Sequence, residues 1–222
     1  MISVAIIPDG SRRYAQKERV SLPMAYDRAC DKVEDVLDWA LESKLVDEVT
    51  VWGLSTENFK RDASQLSLLN GIYKKSFERL IGNEKIYKNR VRVRVIGKRE
   101  ALDRSLVSLI EKAEDATRLN NAFVLNIALA YGGREEILNA VEKALSHGEG
   151  LTEESVQRNL YVSRSPDLII RTSGIQRLSG YLAWQSAYSE LYFTKQLWPE
   201  FTKDEFMKAL DFYKSTKRNF GR

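Results

Sequence analysis

Short apolar runs alternate along the chain with longer stretches in which apolar residues recur every three or four positions. The short runs predict buried β-strands, and the longer stretches predict amphipathic α-helices. The strand-like runs lie at residues 4–7, 48–54, 91–96, 123–130 and 167–171, with a shorter candidate at 190–193. The helical patterns cover residues 24–43, 63–87, 100–120, 134–146, 153–159 and about 203–217. This alternation predicts one α/β domain over residues 1–222, with a mostly parallel central sheet flanked by helices.

Composition narrows the class of protein but leaves its partner open. The chain has 222 residues, of which 43% are hydrophobic and 30% are charged, as in ordinary globular domains. It lacks a long uncharged apolar stretch and an export signal, so we expect a cytoplasmic protein. With one cysteine, Cys30, and one histidine, His147, we expect no internal disulfide and no structural zinc site. The net charge of +4 favours anionic partners, whether nucleic acid, phospholipid headgroups or phosphorylated small molecules.

Polar residues collect where the predicted strands end. In an open α/β sheet, ligands bind outside the carboxyl ends of the strands. The loops that follow the first, second, fourth and fifth strands are rich in aspartate, arginine, serine, asparagine and glycine, at residues 8–14, 55–61, 131–134 and 171–180. This concentration at one edge of the sheet predicts a single binding site.

The segment at residues 171–190 carries the most informative chemistry. Arg171 and Arg177 follow an apolar strand together with several hydroxyls and glycines, and Glu190 lies beside an aromatic run. Arginine forks match phosphate oxygens and keep their charge, while glycines let backbone N–H groups approach an anion closely. The segment therefore predicts a diphosphate site, with Glu190 placed to help hold a divalent cation. A solvated turn with a structural Arg–Glu pair is the alternative.

Taken together and in order, these loops resemble the cis-prenyltransferase family, the undecaprenyl or polyprenyl diphosphate synthases. The resemblance runs from Val4 to Phe220 and rests on Asp9-Gly10, Ser55-Thr56-Glu57-Asn58, the segments 126–134, 167–174 and 190–194, and Leu197-Trp198-Pro199. It implies a Mg²⁺-dependent transferase that condenses isopentenyl diphosphate repeatedly onto farnesyl or geranylgeranyl diphosphate. The product would be a long-chain polyprenyl diphosphate, a lipid-carrier precursor. The resemblance also implies a homodimer and transient contact with a membrane face. Nucleic acid is disfavoured as a partner because the arginines cluster at strand ends with aspartate and glutamate, and no nucleic-acid-binding motif is recognisable.

The resemblance also assigns roles to individual residues. Asp9 would position Mg²⁺ with the allylic diphosphate, and Glu190 would complete the metal site. The allylic diphosphate would be held by Gly10, Ser11, Arg12 and Arg13, and isopentenyl diphosphate by Arg171, Arg177, Leu178 and Ser179. The reaction centre and its surroundings would comprise Ser55, Thr56, Glu57, Asn58, Tyr14, Phe59 and Arg61. Because an amide is a poor base, Asn58 more plausibly orients the diphosphate oxygen or water that accepts the proton.

Several of these residues have a structural alternative. Asp9 resembles an N-cap of the helix that would follow it, since aspartate is favoured at that position. Arg12 and Arg13 are also typical of a solvated basic turn. Tyr14 and Phe59 stand where the family carries tryptophans beside its substrates, and core packing would explain both equally well.

The product requires an apolar space in which to grow. The helical pattern at residues 63–87 is rich in apolar side chains, and with those of residues 24–39 it predicts a hydrophobic tunnel between helices and sheet. The candidate lining residues on the first of these helices are Leu66, Leu68, Leu69, Ile72, Tyr73, Phe77, Leu80 and Ile81. Burial contributes about 0.8 kcal/mol per CH₂, so a long chain would be retained without specific contacts. An ordinary core-facing helix is the alternative.

The chain also departs from the family pattern. Asp27 stands in place of a histidine and would repel a nearby diphosphate, a repulsion that Arg12 or Arg28 would offset. Arg12, which is additional to the family pattern, would then serve as a replacement phosphate ligand. Gln176 replaces a histidine that is common beside the metal. Asn219 falls where homodimeric members carry an arginine that reaches the partner's active site. These changes leave open a second hypothesis, a non-catalytic subunit that supports an active partner chain.

Overall fold

A computed structural model describes residues 1–60 and 63–216 of the chain. The strands of this part are β1 (Ile2–Ile7), β2 (Val46–Trp52), β3 (Val91–Ile96), β4 (Phe123–Ala128), β5 (Leu168–Arg171) and β6 (Glu190–Phe193). Its α-helices are α1 (Ser11–Glu18), α2 (Leu22–Ser43), α3 (Ala63–Gly82), α4 (Glu84–Lys88), α5 (Arg104–Thr117), α6 (Gly133–Ser146), α7 (Glu153–Asn159) and α8 (Lys203–Ser215). None of the described helices combines the length and the apolar character that crossing a bilayer requires.

The six strands form one parallel sheet in the order β3-β4-β2-β1-β5-β6, which confirms the predicted architecture. From β1 the chain passes to β2 on one side, whereas from β5 it passes to β6 on the other. The direction of winding therefore changes between β1 and β5. Ligands of such sheets bind in the crevice at this switch point, outside the carboxyl ends of the strands.

Helices and loops cover both faces of the sheet, which is why residues 4–7 of β1 are apolar at every position. Along β1, Val4 and Ile6 pack in a core with side chains of α2 and α8. The alternate residues Ala5 and Ile7 pack on the opposite face in a cluster that contains Tyr181. Because successive side chains of a strand point to opposite faces, double coverage requires apolar residues at every position.

Two helices differ from their predicted bounds because a polar side chain caps a helix N-terminus inside each predicted range. The predicted helix over residues 63–87 is divided in two, since the side chain of Asn83 accepts a hydrogen bond from a first-turn amide of α4. The predicted helix over residues 100–120 begins late, since the carboxylate of Asp103 accepts hydrogen bonds from the first-turn amides of α5. Both arrangements satisfy amides that otherwise lack a partner in the helix.

Helix α1 has no counterpart in the sequence-based prediction. Most of its residues are polar, and only Tyr14 and Ala15 are buried. The helix begins directly after Gly10, whose φ of 111° lies in a region that side chains rarely adopt. A Cβ on Gly10 would lie 2.8 Å from the side chain of Leu197, so glycine is also required sterically. This turn brings the start of α1 to the carboxyl end of β1.

Candidate active site

Asp9 and Arg171 meet at the switch point of the sheet. Asp9 follows β1, Arg171 ends β5, and Ile7 pairs with Arg171 in the ladder between these strands. Nη2 of Arg171 donates a hydrogen bond to Oδ2 of Asp9 at 2.9 Å, and the Arg171 side chain is only 6% exposed. Gly10, rather than Asp9, occupies the N-cap position of α1. The N-cap alternative for Asp9 is therefore wrong, and its carboxylate is ion-paired at the ligand-binding edge.

The backbone of Asp9 is held independently of its side chain. Oγ1 of Thr172 accepts a hydrogen bond from the Asp9 amide at 2.8 Å and donates one to the Asp9 carbonyl, also at 2.8 Å. The amide of Trp198 donates to the same carbonyl at 3.0 Å. Sequence reasoning did not assign a role to Thr172; the one available signal was a hydroxyl directly after the last residue of a strand.

The other end of the Arg171 guanidinium contacts the loop that follows β5. Its Nη1 donates to Oγ of Ser179 at 2.9 Å and to the carbonyl of Arg177. Ser173 and Ser179 adopt left-handed φ values of 81° and 55°, a conformation that costs about 1–3 kcal/mol and clusters at functional sites. Arg177 itself is exposed, whereas Leu178 packs toward the core. The loop thus gathers Arg171, Arg177 and Ser179, as predicted.

The first turn of α1 lies at the same edge. Gly10, Ser11, Arg12 and Arg13 all line one cavity together with Asp9. No side chain caps this helix start, and uncapped amides at a helix N-terminus favour bound anions. The predicted phosphate-binding residues after β1 are therefore assembled in one place.

Arg12 is more than a residue of a solvated turn. Its Nη2 donates to Oε1 of Gln65 at 2.6 Å, and its Nε lies 3.5 Å from the hydroxyl of Tyr26. These contacts join α1 to α2 and α3 across the opening of the cavity. Asp27 is not among the residues that line the cavity, although its neighbour Tyr26 is.

The turn after β2 contributes Ser55 and Asn58 to the cavity. The Ser55 amide donates to Oδ1 of Asn58 at 3.3 Å, and Ser55 also bridges to Tyr131 after β4. This contact uses the acceptor side of the Asn58 amide, so Nδ2 is the group suited to a diphosphate oxygen. Thr56 and Glu57 belong to the same turn but do not line the cavity.

The two aromatic residues proposed beside the substrates pack elsewhere. Tyr14 is buried, and the guanidinium of Arg28 donates to its hydroxyl and lies 5.6 Å from its ring centre. Phe59 packs against the core cluster that contains Leu69 and Phe77. Neither ring lines the cavity, so the core-packing alternative describes both residues.

Glu190 lies away from Asp9 within one chain. It begins β6 and pairs with Leu168, whereas Phe193 at the other end of β6 pairs with Arg171. At about 3.3 Å per residue, Glu190 lies roughly 10 Å along the strand from the carboxyl edge. Glu190 therefore lies at the amino-terminal end of β6, away from the edge at which Asp9 follows β1, and its part in a Mg²⁺ site stays a prediction. Sequence reasoning could not give this position, because the register of β6 decides which end of the strand carries the carboxylate.

Two of the predicted residues cannot be placed. Arg61 and the carboxyl-terminal Asn219, with its neighbouring residues 217–222, lie outside the described residues. Gln176, by contrast, is described and lies exposed in the loop between Arg171 and Arg177.

A cavity of about 530 Å³ extends from this edge between α2, α3 and the sheet. We call its opening the polar rim, formed by Asp9, Gly10, Ser11, Arg12, Arg13, Ser55, Asn58 and Arg171. The deeper walls are mainly apolar and include Ala29, Val33, Val51, Leu69, Ile72, Phe77, Leu80 and Ile127. The predicted hydrophobic space between helices and sheet is present. Its lining omits Leu66, Leu68 and Ile81, which were also candidates.

A few polar side chains interrupt the apolar walls. Burial raises the pKa of Cys30 to about 11, so its thiol remains protonated at neutral pH. Burial also raises the pKa of Glu34, whose Oε1 lies 3.4 Å from Nη2 of Arg79. On its α2–α3 side the cavity thus combines a hydrocarbon surface with the carboxylate of Glu34, beside an Arg79 that also pairs with Asp31 at 2.7 Å.

A buried polar cluster lies beneath the turn after β4. Glu136 accepts hydrogen bonds from the hydroxyl of Tyr131, from Nε2 of Gln185 at 3.1 Å and from the amide of Tyr161 at 2.8 Å. Burial raises the pKa of Glu136. Burial is also the largest of the influences that raise the pKa of Tyr131. The cluster fixes the turn after β4, and this turn supports Ser55 through its bridge to Tyr131. The sequence patterns do not predict this cluster, since Glu136 resembles an ordinary exposed carboxylate of a helix.

The Glu136 cluster predicts a pH-dependent stability. Because the folded-state pKa is raised, the native chain holds this proton more tightly than the unfolded chain. The resulting stabilisation is present at low pH and is lost as pH rises through the raised pKa. We therefore expect the unfolding free energy of the wild type, relative to Glu136→Gln, to fall as pH rises from about 4 through the raised pKa of Glu136. Urea denaturation across this range measures the difference.

The matched control is Glu142→Gln, which removes an exposed carboxylate from the same helix. Its difference from the wild type should vary little with pH. A flat profile for Glu136→Gln as well would contradict a raised pKa at Glu136.

Comparisons with known proteins agree with this geometry. Residues 7–221 match the prenyltransferase family model described as undecaprenyl diphosphate synthase. An isoprenyl transferase of Thermus thermophilus is 43% identical over 232 aligned residues, which cover 99% of this chain and 88% of the relative. A tritrans,polycis-undecaprenyl-diphosphate synthase (geranylgeranyl-diphosphate specific) of Thermoplasma acidophilum is 41% identical over 228 residues, with the same coverage of both chains.

A solved structure is similar over its whole length. The lavandulyl diphosphate synthase of Lavandula x intermedia, in complex with dimethylallyl diphosphate, superposes with a TM-score of 0.93 at 30% sequence identity. The match covers 99% of this chain and 98% of that one. Since the family model and the relatives span nearly the entire sequence, the resemblance drawn from the strand-end motifs is confirmed. This protein belongs to the undecaprenyl diphosphate synthase family of prenyltransferases.

Proposed function

We propose that this chain, as one cis-prenyltransferase-like domain, condenses isopentenyl diphosphate repeatedly onto an allylic diphosphate to give a long-chain polyprenyl diphosphate. The observation that carries the proposal is the continuity between the polar rim and the apolar cavity below it. A prenyl diphosphate has the same division, a highly charged head on a hydrocarbon chain. The rim suits the head and the cavity suits the chain.

The polar rim and the loop beside it suit two different diphosphates. The first turn of α1, with Gly10, Ser11, Arg12 and Arg13, would hold the allylic diphosphate. These donors stabilise the negative charge that develops as diphosphate leaves the allylic carbon. The loop after β5, with Arg171, Arg177 and Ser179, would hold isopentenyl diphosphate through charge-assisted hydrogen bonds.

The residues of the rim fit Mg²⁺ as a bridging ion. Within residues 1–60 and 63–216, no group of three or more histidine, cysteine, aspartate or glutamate side chains is arranged to hold a metal. Asp9 would instead supply one carboxylate and the diphosphate the other oxygens, as Mg²⁺ commonly requires. When bound, Mg²⁺ supplies positive charge that stabilises the departing diphosphate. Glu190 lies at the other end of β6, and its part in a Mg²⁺ site stays a prediction.

Elongation also requires that the isoprenyl carbon lose a proton after the new C–C bond forms. Asn58 lies on the rim, and its Oδ1 already accepts a hydrogen bond from Ser55. An amide is a poor base, so the proton acceptor would be a diphosphate oxygen or a water molecule. Nδ2 of Asn58 would orient that oxygen.

The allylic primer is proposed to be farnesyl or geranylgeranyl diphosphate. The Thermoplasma relative is named as specific for geranylgeranyl diphosphate, and the Lavandula structure holds dimethylallyl diphosphate. The apolar lining of the cavity accommodates a hydrocarbon without hydrogen bonds that would select one length. Primer preference is therefore a matter for direct assay.

A homodimer is proposed from one of the two edges of the sheet. The β6 strand lies at this edge, and Tyr188, Leu191 and Phe212 near it are exposed apolar side chains. Exposed edge strands and apolar patches commonly mark association surfaces. Light scattering during size-exclusion chromatography should give a dimer mass, and Leu191→Lys should reduce it to a monomer mass.

We further propose that the enzyme works in the cytoplasm and touches a membrane face transiently, because its product is insoluble in water. Lys75 and Lys88 are exposed on α3 and α4, where they would attract anionic lipid. Lys74 and Lys85 lie nearby but form salt bridges with Asp103 and Asp38. In sedimentation with lipid vesicles, this attraction should make more of the protein pellet with anionic vesicles than with neutral ones.

The direct test is to incubate the purified chain with Mg²⁺, labelled isopentenyl diphosphate and each allylic primer in turn. Resolving the extracted products by length should show a ladder that ends at a long polyprenyl diphosphate. A folded protein that binds diphosphate but forms no product would instead favour a non-catalytic subunit. The family relatives do not favour that second hypothesis.

Replacing Arg177 by alanine should raise the KM for isopentenyl diphosphate about tenfold or more, because a charge-assisted hydrogen bond contributes about 1.5–3 kcal/mol. The allylic KM should change less, since Arg177 lies in the other half of the site. Steady-state kinetics with each substrate varied separately measures the two effects. The control is Arg118→Ala, which removes an exposed arginine at the end of α5. An unchanged KM for isopentenyl diphosphate in Arg177→Ala would contradict the assignment.

A further inference from the structure

A second cavity, of about 510 Å³, lies at the β3 edge of the sheet. It is bounded by the carboxyl end of β3, by α5 and α6, and by Leu160 and Tyr161 in the segment between α7 and β5. The described residues that line it are all different from those that line the larger cavity. Its volume lies within the range of about 300–1,000 Å³ that is common for small-molecule sites. We call it the β3-edge cavity.

The walls of the β3-edge cavity are mainly polar and carry charges of both signs. The charged side chains that line it are Arg94, Arg99, Glu100, Glu114 and Lys143. Arg99 and Glu114 pair with each other, since Nη2 of Arg99 lies 2.6 Å from Oε1 of Glu114. Arg99 also donates to the carbonyl of Val95, and Glu114 accepts from the amide of the same residue. This pair therefore completes the outer edge of β3 and is not free for a ligand.

Two cationic side chains of the cavity lie around Tyr161. Nη2 of Arg94 donates to the Tyr161 carbonyl at 3.1 Å, and Nζ of Lys143 lies 5.5 Å from the centre of the Tyr161 ring. Within residues 1–60 and 63–216, neither cation forms a salt bridge with a carboxylate, and the remaining N–H groups of both are left for other partners.

The nearby carboxylates do not neutralise these two charges. Arg94 acts on the buried Glu48 only from beyond salt-bridge distance. Glu48 already lies 3.8 Å from Nη1 of Arg164 and accepts a hydrogen bond from Asn126. Glu100 lines the cavity, but its side chain is exposed to water. An excess of positive charge in a polar recess attracts small anions.

We infer that the β3-edge cavity binds the phosphate group of a small, soluble phosphomonoester. Such a group carries a charge of about −1.5 to −2 at neutral pH and three acceptor oxygens, which suits one guanidinium and one ammonium. Arg94 donates the N–H groups that the Tyr161 carbonyl does not use, and Lys143 contributes a point charge. The side-chain amide of Asn139, which also lines the cavity, binds a hydroxyl of the same molecule.

This site is separate from the sites proposed for the two prenyl diphosphates. Its walls are polar, whereas a prenyl chain requires an apolar surface. The inference therefore stands independently of the proposed function, and either can fail without the other.

Residue-resolved titration distinguishes the β3-edge cavity from the polar rim. Glycerol 3-phosphate is added to the isotope-labelled full chain without metal while its amide resonances are followed by TROSY NMR, and glycerol serves as the uncharged control. Gly97 reports on the β3-edge cavity, and Gly10 reports on the polar rim. Glycerol 3-phosphate should shift the Gly97 resonance to saturation, and glycerol should not.

Charge variants test which side chains hold the phosphate. Arg94→Ala and Lys143→Ala should each raise the Kd measured at Gly97 about tenfold, because each removes one charge-assisted contact, while the Kd measured at Gly10 stays the same. Glu100→Gln should lower the Kd at Gly97 about twofold or more, because it removes a carboxylate that repels the phosphate. A gain in affinity cannot arise from a failure to fold. The control is Lys112→Ala, which removes an exposed cation of α5 outside the cavity and should leave both Kd values nearly unchanged.

The outcomes are distinct. A saturable shift at Gly97 that both basic variants weaken and Glu100→Gln strengthens supports the site. The absence of such a shift overturns it, and so does equal weakening by Lys112→Ala. A shift at Gly97 with phosphatidate bicelles but not with glycerol 3-phosphate also overturns it, because the phosphate would then belong to a lipid headgroup.

Discussion

Asp9→Ala is expected to lower the rate of chain elongation by about a hundredfold to a thousandfold while the protein stays folded. Asp9 is the rim carboxylate that would place a cation against the leaving diphosphate, and no other acidic side chain among the described residues of the rim can replace it. Folding should survive because the neighbouring backbone is held by Thr172 and Trp198. Single-turnover incorporation of labelled isopentenyl diphosphate, compared with thermal unfolding, measures both quantities.

The control for this substitution is Asp27→Ala. Asp27, unlike Asp9, departs from the family pattern, and it does not line the cavity, so its removal should change the elongation rate little. A large loss in Asp27→Ala would show that its charge reaches the diphosphate sites. Near-normal elongation in Asp9→Ala would rule out Asp9 as the residue that positions the cation.

Cys30→Phe is expected to shorten the products markedly, so that the ladder ends several isoprene units earlier. Cys30 lines the cavity on α2 and interacts with Ser76 on α3, so a ring at this position would occupy space between the two helices. Adding bulk to a packed wall costs about 1–3 kcal/mol, and a growing hydrocarbon would have to displace that ring. Chromatography of the extracted products, with the unfolding temperature as a check, measures the effect.

Cys30→Ala is the matched variant, because it removes the same sulfur and leaves the space open. Its products should match the wild type in length. An unaltered ladder in Cys30→Phe, from protein that is folded and active, would place the growing chain outside this part of the cavity.

Sequence patterns predict the sheet well because buried strands require apolar residues at predictable positions. Val4 to Ile7 are apolar at every position, which only a strand covered on both faces requires, and parallel strands place all their carboxyl ends at one edge. Polar side chains that follow different strands are therefore brought together at one edge of the sheet. That is why the grouping of Asp9 with Arg171 follows from the sequence even though 162 residues separate them.

Other features of the fold and the site have no corresponding pattern in the sequence. Helix α1 is mostly polar, so its periodicity does not stand out, and its start depends on a glycine fitted against Leu197. Glu190 was expected to complete a Mg²⁺ site with the residues that hold isopentenyl diphosphate, but its position along β6 depends on the register of the strand, which its pairing partners decide. The roles of Thr172 and Glu136 arise from contacts with distant segments that local composition does not reveal.

The pairing of β1 with β5 has a consequence for how the site can be divided. Asp9 and Arg171 lie on opposite sides of the exposed turn at Gly148, which joins α6 to α7. A polypeptide cleaved at that turn would carry one half of the ion pair on each fragment, and neither fragment alone would possess the site. The fragments would regain it only by reassociating through the β1–β5 ladder, so activity from separately produced pieces would report directly on that reassembly.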